Sequence, residues 1–254
     1  MKKLFFLSLI SLSLSSCSTW YRSTQSYINN VPYAPMFEEE GELSLSGNIG
    51  FNHGEAQGAV SVKNGYGLKF SIYNGTDGRS YSDIGIGKFK EFRENNYYEL
   101  FAGYGEGLIR NNTFKTSYSI IAQYYYDYYT VDANFKRYYI QPAYYFTGLR
   151  GQKMEVGLRM SYINYPTYYY ERIHESNTEP DFMDKVELTN QKGIYLEPTY
   201  SYRRKISKAV CFNFQAGFSF GWFNQEFNSE YSHPVNQKYF INTGLQLNLH
   251  DLFN

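Results

Sequence analysis

The sequence predicts an all-β fold, an antiparallel up-and-down transmembrane barrel of about ten strands. Three observations predict it. After residue 41 the chain divides into about ten runs in which apolar and polar residues alternate. The connections between these runs alternate between short and long, and aromatic residues make up 20% of the chain, with 29 Tyr and 20 Phe. Most runs approach the roughly 9–11 residues that a tilted strand needs to cross a bilayer.

The N-terminus has the pattern of a cleaved export signal. Basic Met1–Lys3 precedes an apolar, Ser-rich stretch, Leu4–Leu14, that is too short to cross a bilayer as a helix. It ends in Leu14-Ser15-Ser16-Cys17, an aliphatic residue and two small residues before a cysteine. We therefore expect residues 1–16 to be a lipoprotein signal peptide and Cys17 to be acylated, for example by palmitate. An ordinary secretory signal with an incidental cysteine is the alternative.

Residues 17–41 read as a lipidated N-terminal tether. They are rich in Ser, Thr and Asn, contain two prolines and end in Glu38-Glu39-Glu40-Gly41. Such a composition is expected to bury little surface and to connect the lipid to the folded body. Residues 42–254 are then the barrel domain.

Each run after residue 41 places apolar residues on one face and polar or small residues on the other. The run Tyr81–Phe92 is less regular, and its Gly85 and Gly87 indicate a bulge or a close approach to a neighbour. The ten runs are Glu42–Phe51, Gly58–Lys63, Gly67–Asn74, Tyr81–Phe92, Tyr97–Gly105, Phe135–Phe146, Met154–Asn164, Ile194–Arg203, Phe212–Trp222 and Tyr239–Leu249.

The connections give a second signal for a membrane barrel. Outer-membrane barrels have short periplasmic turns and longer extracellular loops, so an even strand count places both termini in the periplasm. Short turns are expected near Asn64-Gly65, Arg93–Asn96, Gly148–Gln152 and Arg203–Ser207. Loops are expected at Asn52–Gln57, Gly75–Ser80, Glu106–Asn134, Tyr165–Lys192 and Phe223–Lys238.

A soluble β-sandwich or lipocalin-like barrel tethered at Cys17 is the alternative, with the apolar face as its core. The polar face contains Gly, Ser, Asn and Gln but few Lys, which is unusual for a solvated sheet. In a membrane barrel its charges would pair inside a narrow lumen. The predicted lumen charge network is Glu99, Arg137, Glu155, Arg159 and Glu197.

Charge and cysteine content exclude other classes. Lys plus Arg and Asp plus Glu both total 24, so no basic surplus points to a nucleic-acid partner. Cys211 is the only cysteine besides Cys17, so acylation of Cys17 leaves no intramolecular disulfide. Cys211 is expected to be a small buried residue in a strand.

The chain resembles the lipidated outer-membrane β-barrel proteins of Bacteroidetes, a Gram-negative group. The lipobox ending at Cys17, Asn30-Val31-Pro32, Glu39-Glu40-Gly41-Glu42, the in-strand pair Gln141-Pro142 and the near-terminal Phe253 carry this resemblance. It implies recognition of the C-terminal aromatic by the barrel-assembly machinery, although Phe253 is penultimate here. Ser18–Arg22 contains none of the acidic residues that accompany surface export in such bacteria, so the lipid is expected in the inner, periplasm-facing leaflet.

The sequence suggests neither a cofactor site nor a metal site, and we expect no catalysis. Of the four histidines, His53, His174 and His233 fall in predicted loops and His250 lies at the end of the barrel. His174 among acidic residues is the weak candidate for a hydrolase site. Exposed tyrosine clusters can bind glycans or proteins, which makes Tyr124, Tyr125, Tyr126, Tyr128 and Tyr129 a possible binding site. These tyrosines are more simply hairpin stems and interfacial aromatics.

The expected function is therefore a structural or envelope-interaction role in the outer membrane, with a lumen plugged by side chains. The alternatives are a surface-binding or adhesion protein using the Tyr-rich loops and, below it, a narrow pore or a membrane-embedded hydrolase. Expected partners are outer-membrane lipids and the lipoprotein-processing and barrel-assembly machineries. The sequence names no surface ligand.

Overall fold

In the computed structural model, ten strands form the predicted barrel; the residues it describes are 30–50, 53–76, 78–120, 123–148, 151–176, 182–223 and 238–249. The strands are β1 (Leu43–Gly50), β2 (His53–Val62), β3 (Tyr66–Gly75), β4 (Arg79–Arg93), β5 (Asn96–Ile120), β6 (Gln123–Thr147), β7 (Gln152–Ser176), β8 (Phe182–Lys205), β9 (Val210–Phe223) and β10 (Lys238–Asn248). A single 3-10 turn, Lys63–Gly65, joins β2 to β3. No helix within the described ranges is long and apolar enough to span a membrane.

The sheet closes on itself. Every strand pairs antiparallel with its neighbour in sequence, and β1 pairs with β10 through partners such as Leu45 and Leu247. Closure leaves no strand edge exposed, which removes the usual route to edge-to-edge aggregation. The predicted fold class and strand number are confirmed.

The alternation is oriented with polar residues inside and apolar residues outside. In β1, Ser44, Ser46 and Asn48 are buried, whereas Leu45 and Ile49 are 40% and 73% exposed. The same pattern recurs in β10, where Asn242 and Gln246 face the lumen. A soluble sandwich or lipocalin-like barrel needs its apolar face inside, so that alternative is wrong, and the pattern is the one found in membrane barrels.

The short turns lie where the sequence predicts them. Asn64 and Gly65 both have positive φ, 62° and 71°, the conformation that an Asn-Gly pair adopts most readily in a tight hairpin. The turns after β4, β6 and β8 lie at the same end of the barrel as this one, because the strands alternate in direction.

Two of the predicted long loops are instead strands. β5 and β6 have 25 residues each and remain paired from Asn96–Phe146 to Ile120–Gln123. Residues 111–134 contain neither Gly nor Pro and are rich in aromatic and β-branched residues, which favour a strand. β7 and β8 continue through the predicted loop 165–192 in the same way, and Pro166 lies where the pairing with β6 shifts register.

The other connections also differ from expectation. The predicted loop Asn52–Gln57 is mostly strand, since β2 begins at His53, and β4 begins at Arg79 within the predicted loop Gly75–Ser80. Most of the loop Phe223–Lys238 lies outside the described residues. The two ends of the barrel therefore differ. One has short turns and is called the turn end; the other has long paired hairpins and is called the hairpin end.

The glycines of β4 mark a close approach. Pairing with β3 and β5 is continuous at Gly85 and Gly87, and the register shift occurs later, between Glu91 and Arg93. A Cβ atom on Gly85 would lie 2.6 Å from the Tyr139 hydroxyl. The Tyr139 side chain thus lies along the inner wall over Gly103 and Gly85, and a side chain at either position would displace it.

Candidate functional site

The lumen contains the N-terminal segment that precedes β1. Residues 30–37, which we call the lumen segment, have no regular secondary structure. All eight residues are buried, and the side chains of Val31, Tyr33, Ala34, Met36 and Phe37 are at most 3% exposed. The expectation that this part of the tether buries little is wrong. Its side chains are mostly apolar, and its backbone carbonyl groups are matched by polar side chains of the barrel wall, a contact that local composition cannot reveal.

Cationic side chains of the wall bind the backbone of the lumen segment. Each donates hydrogen bonds to main-chain carbonyl groups, which in an extended segment without strand pairing would otherwise lack partners. The bonds run from Arg159 Nη2 to Asn30 O (2.8 Å), from Lys69 Nζ to Tyr33 O (2.8 Å), from Arg203 Nη1 to Pro35 O (2.8 Å) and from Lys153 Nζ to Met36 O (2.8 Å).

Acidic and neutral side chains complete the attachment. Glu99 Oε1 accepts a hydrogen bond from the Phe37 backbone N–H at 3.1 Å, and the Tyr145 hydroxyl donates to the Phe37 carbonyl. The Gln141 amide donates to the Tyr33 carbonyl at 3.1 Å. Both backbone groups of Phe37 are thus satisfied by the wall.

The structure places all five residues of the predicted lumen charge network inside the barrel, at 2% exposure or less. Arg159 and Glu197 form a two-bond ion pair, with 2.6 Å from Nε to Oε2 and 2.8 Å from Nη2 to Oε1. Arg137 instead donates to the Asn30 side-chain oxygen and stacks on the Tyr81 ring at 4.2 Å. Glu155 is fully buried but is not among the side chains that bond the lumen segment in the described part of the chain.

The charges therefore act mainly on the lumen segment and only partly on one another. Sequence reasoning did not single out Lys69, Lys153 or Arg203, although the alternation places Lys69 on the polar face of its run. The signal that could have found it is a Lys between Leu68 and Phe70, which has no reason to face lipid.

Apolar side chains fill the lumen on both sides of this polar layer. Toward the turn end, Tyr33 and Phe37 pack with Ala59, Phe89 and Phe101. A second group around Met36 contains Ala34, Tyr97, Ala143 and Tyr145. Toward the hairpin end, the buried cluster includes Tyr73, Tyr81, Ile109, Val131, Phe135 and Tyr165.

The residues between the lumen segment and β1 bind the rim of the barrel at the turn end. Glu38 forms an ion pair with Lys153 at 3.3 Å and accepts a bond from the Thr147 hydroxyl. Glu40 accepts a bond from the Asn64 backbone N–H at 2.6 Å. Gly41 has φ +86°, which lets the chain turn from the lumen into β1.

The outer surface has two belts of aromatic residues with an apolar band between them. Near the turn end, the Phe92 ring lies 5.9 Å from Tyr144 and 6.4 Å from Tyr98. Near the hairpin end, the Tyr138 ring lies 5.2 Å from Tyr104 and 6.5 Å from Tyr162. Aromatic belts of this kind mark the two membrane–water interfaces of a transmembrane barrel.

The Tyr-rich candidate binding site lies on β6 beyond the second belt. The backbone of residues 124–129 pairs with β5 and, from Tyr125 onward, with β7, so these tyrosines belong to a hairpin stem. Their side chains, and that of His174, lie outside the described part of the structure. An open groove of about 570 Å³ lies next to this sheet, and its lining includes Arg110, Glu106, Lys136, Tyr81 and Phe135.

The remaining candidates are placed as follows. Cys211 is buried in β9, as predicted. His53 begins β2 rather than lying in a loop; its ring stacks on Tyr73 at 4.7 Å and its Nε2 lies 2.9 Å from Asn242 Oδ1. Within the described ranges no group of three His, Cys, Asp or Glu residues could hold a metal ion. Cys17, His233, His250 and Phe253 lie outside those ranges.

Known proteins that resemble this chain include distant structural relatives. No family model and no curated protein matches the chain. Among solved structures, the KdgM porin is 9% identical with a TM-score of 0.31, covering 81% of this chain and 98% of the porin. OmpT, an outer membrane protein of Vibrio cholerae, is also 9% identical, with a TM-score of 0.16 and coverage of 85% and 100%. The outer-membrane type of fold follows from the strand pairing and the orientation of the faces in this chain.

Proposed function

We propose that the chain is a non-catalytic outer-membrane lipoprotein whose barrel is a closed membrane anchor with a structural or envelope-interaction role. The apolar band and its two aromatic belts support a membrane-embedded body. Short turns belong in the periplasm and long hairpins outside, so both termini of the barrel are periplasmic and β5–β8 project from the cell. Acylation of Cys17 follows from the lipobox at Leu14–Cys17.

The observation that carries this proposal is the filled lumen. A ten-stranded barrel encloses a lumen only slightly wider than the eight-stranded barrels that side chains fill. Here the lumen also contains residues 30–37, held by Lys69, Arg159 and Arg203. A barrel whose lumen is occupied in this way can anchor the protein in the membrane or contact other envelope components, but it does not let solutes diffuse through.

Conductance in planar bilayers tests the closed anchor. The mature chain is expected to give no conductance. A matched variant, with residues 30–37 replaced by a Gly-Ser stretch of equal length, is expected to give frequent openings. Its folding is checked by the electrophoretic shift between unheated and boiled samples. Persistent open channels from the unaltered chain would contradict the proposal and favour the narrow pore.

Membrane embedding needs a second experiment. Cys17→Ala with a substitute signal removes the acyl anchor, and the folded barrel is still expected to require detergent for extraction. Release as a soluble monomer would contradict an embedded barrel.

Surface binding is the second candidate, favoured by the groove beside the projecting sheet. Arg110 and Lys136, both exposed, offer hydrogen bonds and charge to a glycan or peptide. Replacing Tyr124–Tyr129 by alanine, and separately Arg110 and Lys136, is expected to abolish binding in a glycan and cell-adhesion screen. Unchanged binding in both variants would eliminate this candidate.

The proposal also holds that the protein is not an enzyme, and it names the partners expected in the envelope. A hydrolysis screen of the purified chain, with His174→Ala as its matched variant, is expected to show no activity that the substitution removes. The proposed partners are outer-membrane lipids and the lipoprotein-processing and barrel-assembly machineries.

A further inference from the structure

A row of polar side chains lies on the outer surface just beyond the aromatic belt near the hairpin end. Lys136, for example, is two residues beyond the belt residue Tyr138, about 7 Å along the strand. This distance falls within the polar headgroup layer, which is roughly 5–7 Å thick on each side of the hydrocarbon core. Directly paired, outward-facing residues of β5–β8 form the row, namely Glu106, Lys136, Asn164 and Lys192.

The two lysines of this row are exposed, and neither belongs to an ion pair among the described residues. Glu106 is directly opposite Lys136 in the pairing of β5 with β6, but its carboxylate accepts the Tyr104 hydroxyl instead. The ammonium groups of Lys136 and Lys192 are therefore available to an anion at the membrane surface.

Asn164 lies between the two lysines and contributes a different group. It pairs with Lys136 on one side and with Lys192 on the other, so the two lysine backbones are two strand spacings apart, about 10 Å. Each ammonium group ends a flexible four-carbon stem, so both can reach one phosphate above Asn164. The Asn164 Oδ1 atom is shielded from solvent and lacks a hydrogen-bond partner among the described residues, so it can accept a bond from a hydroxyl or amide group.

The surface on the membrane side of the row is apolar. Ile140 and Ile194 are 48% and 54% exposed there, and the acyl chains of a lipid whose headgroup lies at the row would pack on them. At the same register on the neighbouring strands β4 and β3, the outward side chains are Ser82 and Ile72, which carry no charge. Within the row, the cations are thus confined to β6 and β8.

We propose that Lys136, Asn164 and Lys192 form a binding site for a phosphorylated glycolipid of the outer leaflet. The inference rests on the membrane embedding and orientation given under the proposed function, which place the hairpin end at the cell surface. The two ammonium groups hold the phosphate, a hydroxyl or amide group of the sugar donates to Asn164, and the acyl chains lie on the apolar band. The envelope-interaction role then includes a defined lipid partner.

Titration of the purified barrel in detergent tests the site. The probe is the phosphorylated, acylated glucosamine disaccharide of the Gram-negative outer leaflet, and native mass spectrometry counts the bound lipid. Lys192→Gln is expected to weaken binding about fivefold, and Lys136→Gln with Lys192→Gln about 25-fold, as for one and two basic residues at an anionic lipid surface. Lys192 does not line the groove beside the projecting sheet, so its effect is separate from binding in that groove.

The matched control is Lys90→Gln with Lys208→Gln, which removes two exposed lysines near the turn end and is expected to keep full binding. The electrophoretic shift between unheated and boiled samples checks the folding of every variant. Equal losses in the two double variants, or no loss in the Lys136 and Lys192 variant, would overturn the site. Displacement by excess inorganic phosphate, or undiminished binding of the dephosphorylated lipid, would overturn a phosphorylated lipid as its ligand.

Cysteine labelling on intact cells tests the premise separately. In a Cys211→Ala background with a membrane-impermeant maleimide, Lys185→Cys at the hairpin end is expected to label on intact cells. Lys208→Cys at the turn end is expected to label only after permeabilisation; both positions are exposed. The reverse pattern would refute the orientation, and with it the outer-leaflet ligand. A failed titration with the expected labelling would refute the site and leave the proposed function standing.

Discussion

The ion pair between Arg159 and Glu197 provides the sharpest test of how the lumen is stabilised. Both side chains are at most 1% exposed, and the guanidinium makes two hydrogen bonds to the carboxylate, at 2.6 and 2.8 Å, and two to Asn30, at 2.8 Å to its carbonyl and 3.1 Å to its side-chain oxygen. Arg159→Ala removes these four bonds and leaves Glu197 buried without its countercharge. Removing one partner of a buried pair costs about 3–5 kcal/mol.

Guanidinium unfolding of the barrel in lipid vesicles, followed by tyrosine and tryptophan fluorescence, measures this loss. The double variant Arg159→Met with Glu197→Leu is expected to be destabilised less than Arg159→Ala, because no charge remains unpaired. The control is Lys185→Ala, which breaks the exposed pair with Glu171 at 3.0 Å and is expected to leave the unfolding midpoint unchanged, because exposed pairs contribute little. If Arg159→Ala and Lys185→Ala had the same midpoint, the pair would not stabilise the lumen.

Three further predictions concern the wall. Ile86→Arg, on the lipid-facing surface between the two aromatic belts, is expected to destabilise the barrel by about 2–4 kcal/mol in the same unfolding assay, whereas Ile206→Arg, similarly exposed but in a turn, is not; equal effects would argue against an apolar band in lipid. Gly107→Ala places a Cβ 2.1 Å from Phe135 Cζ and is expected to lower the melting temperature, with Phe135→Ala in the same chain restoring part of the loss; additive losses would refute this packing conflict. Lys69→Met removes the ammonium group that donates to the Tyr33 carbonyl and to the Gln141 side-chain oxygen, and it is expected to produce brief channel openings in planar bilayers. Lys90→Met, on the exposed face of β4, is expected to give no conductance. If neither variant conducts, the Lys69 bond is not needed to close the lumen.

The barrel, its strand number and the residues that share each strand face were predictable from the sequence, whereas the structure decided that the polar face is the inner one. Period-2 alternation is a local property, since side chains i and i+2 share a face whatever the strand pairs with. Leu45, Ser46 and Gly47 therefore take their faces from their own run. The Asn64-Gly65 turn was predictable for the same reason, because its positive φ values depend on those two residues.

The lengths of β5–β8 could not be predicted from the local sequence pattern. The segments 106–134 and 165–192 lack clean apolar alternation because beyond the membrane neither face contacts lipid, and a paired hairpin there looks like a loop in sequence. Only their pairing, as in Tyr118 with Tyr125, makes them strands.

The occupied lumen was decided by tertiary structure alone. The bonds that hold residues 30–37 join residues far apart in the chain, from 36 positions between Tyr33 and Lys69 to 169 between Ala34 and Arg203. A Pro-containing stretch without strand alternation and isolated cations on a polar face each have several possible partners in sequence. Closing β1 against β10 brings them within hydrogen-bond distance in a lumen too narrow to hydrate both, and it is this confinement that turns an expected tether into part of the core.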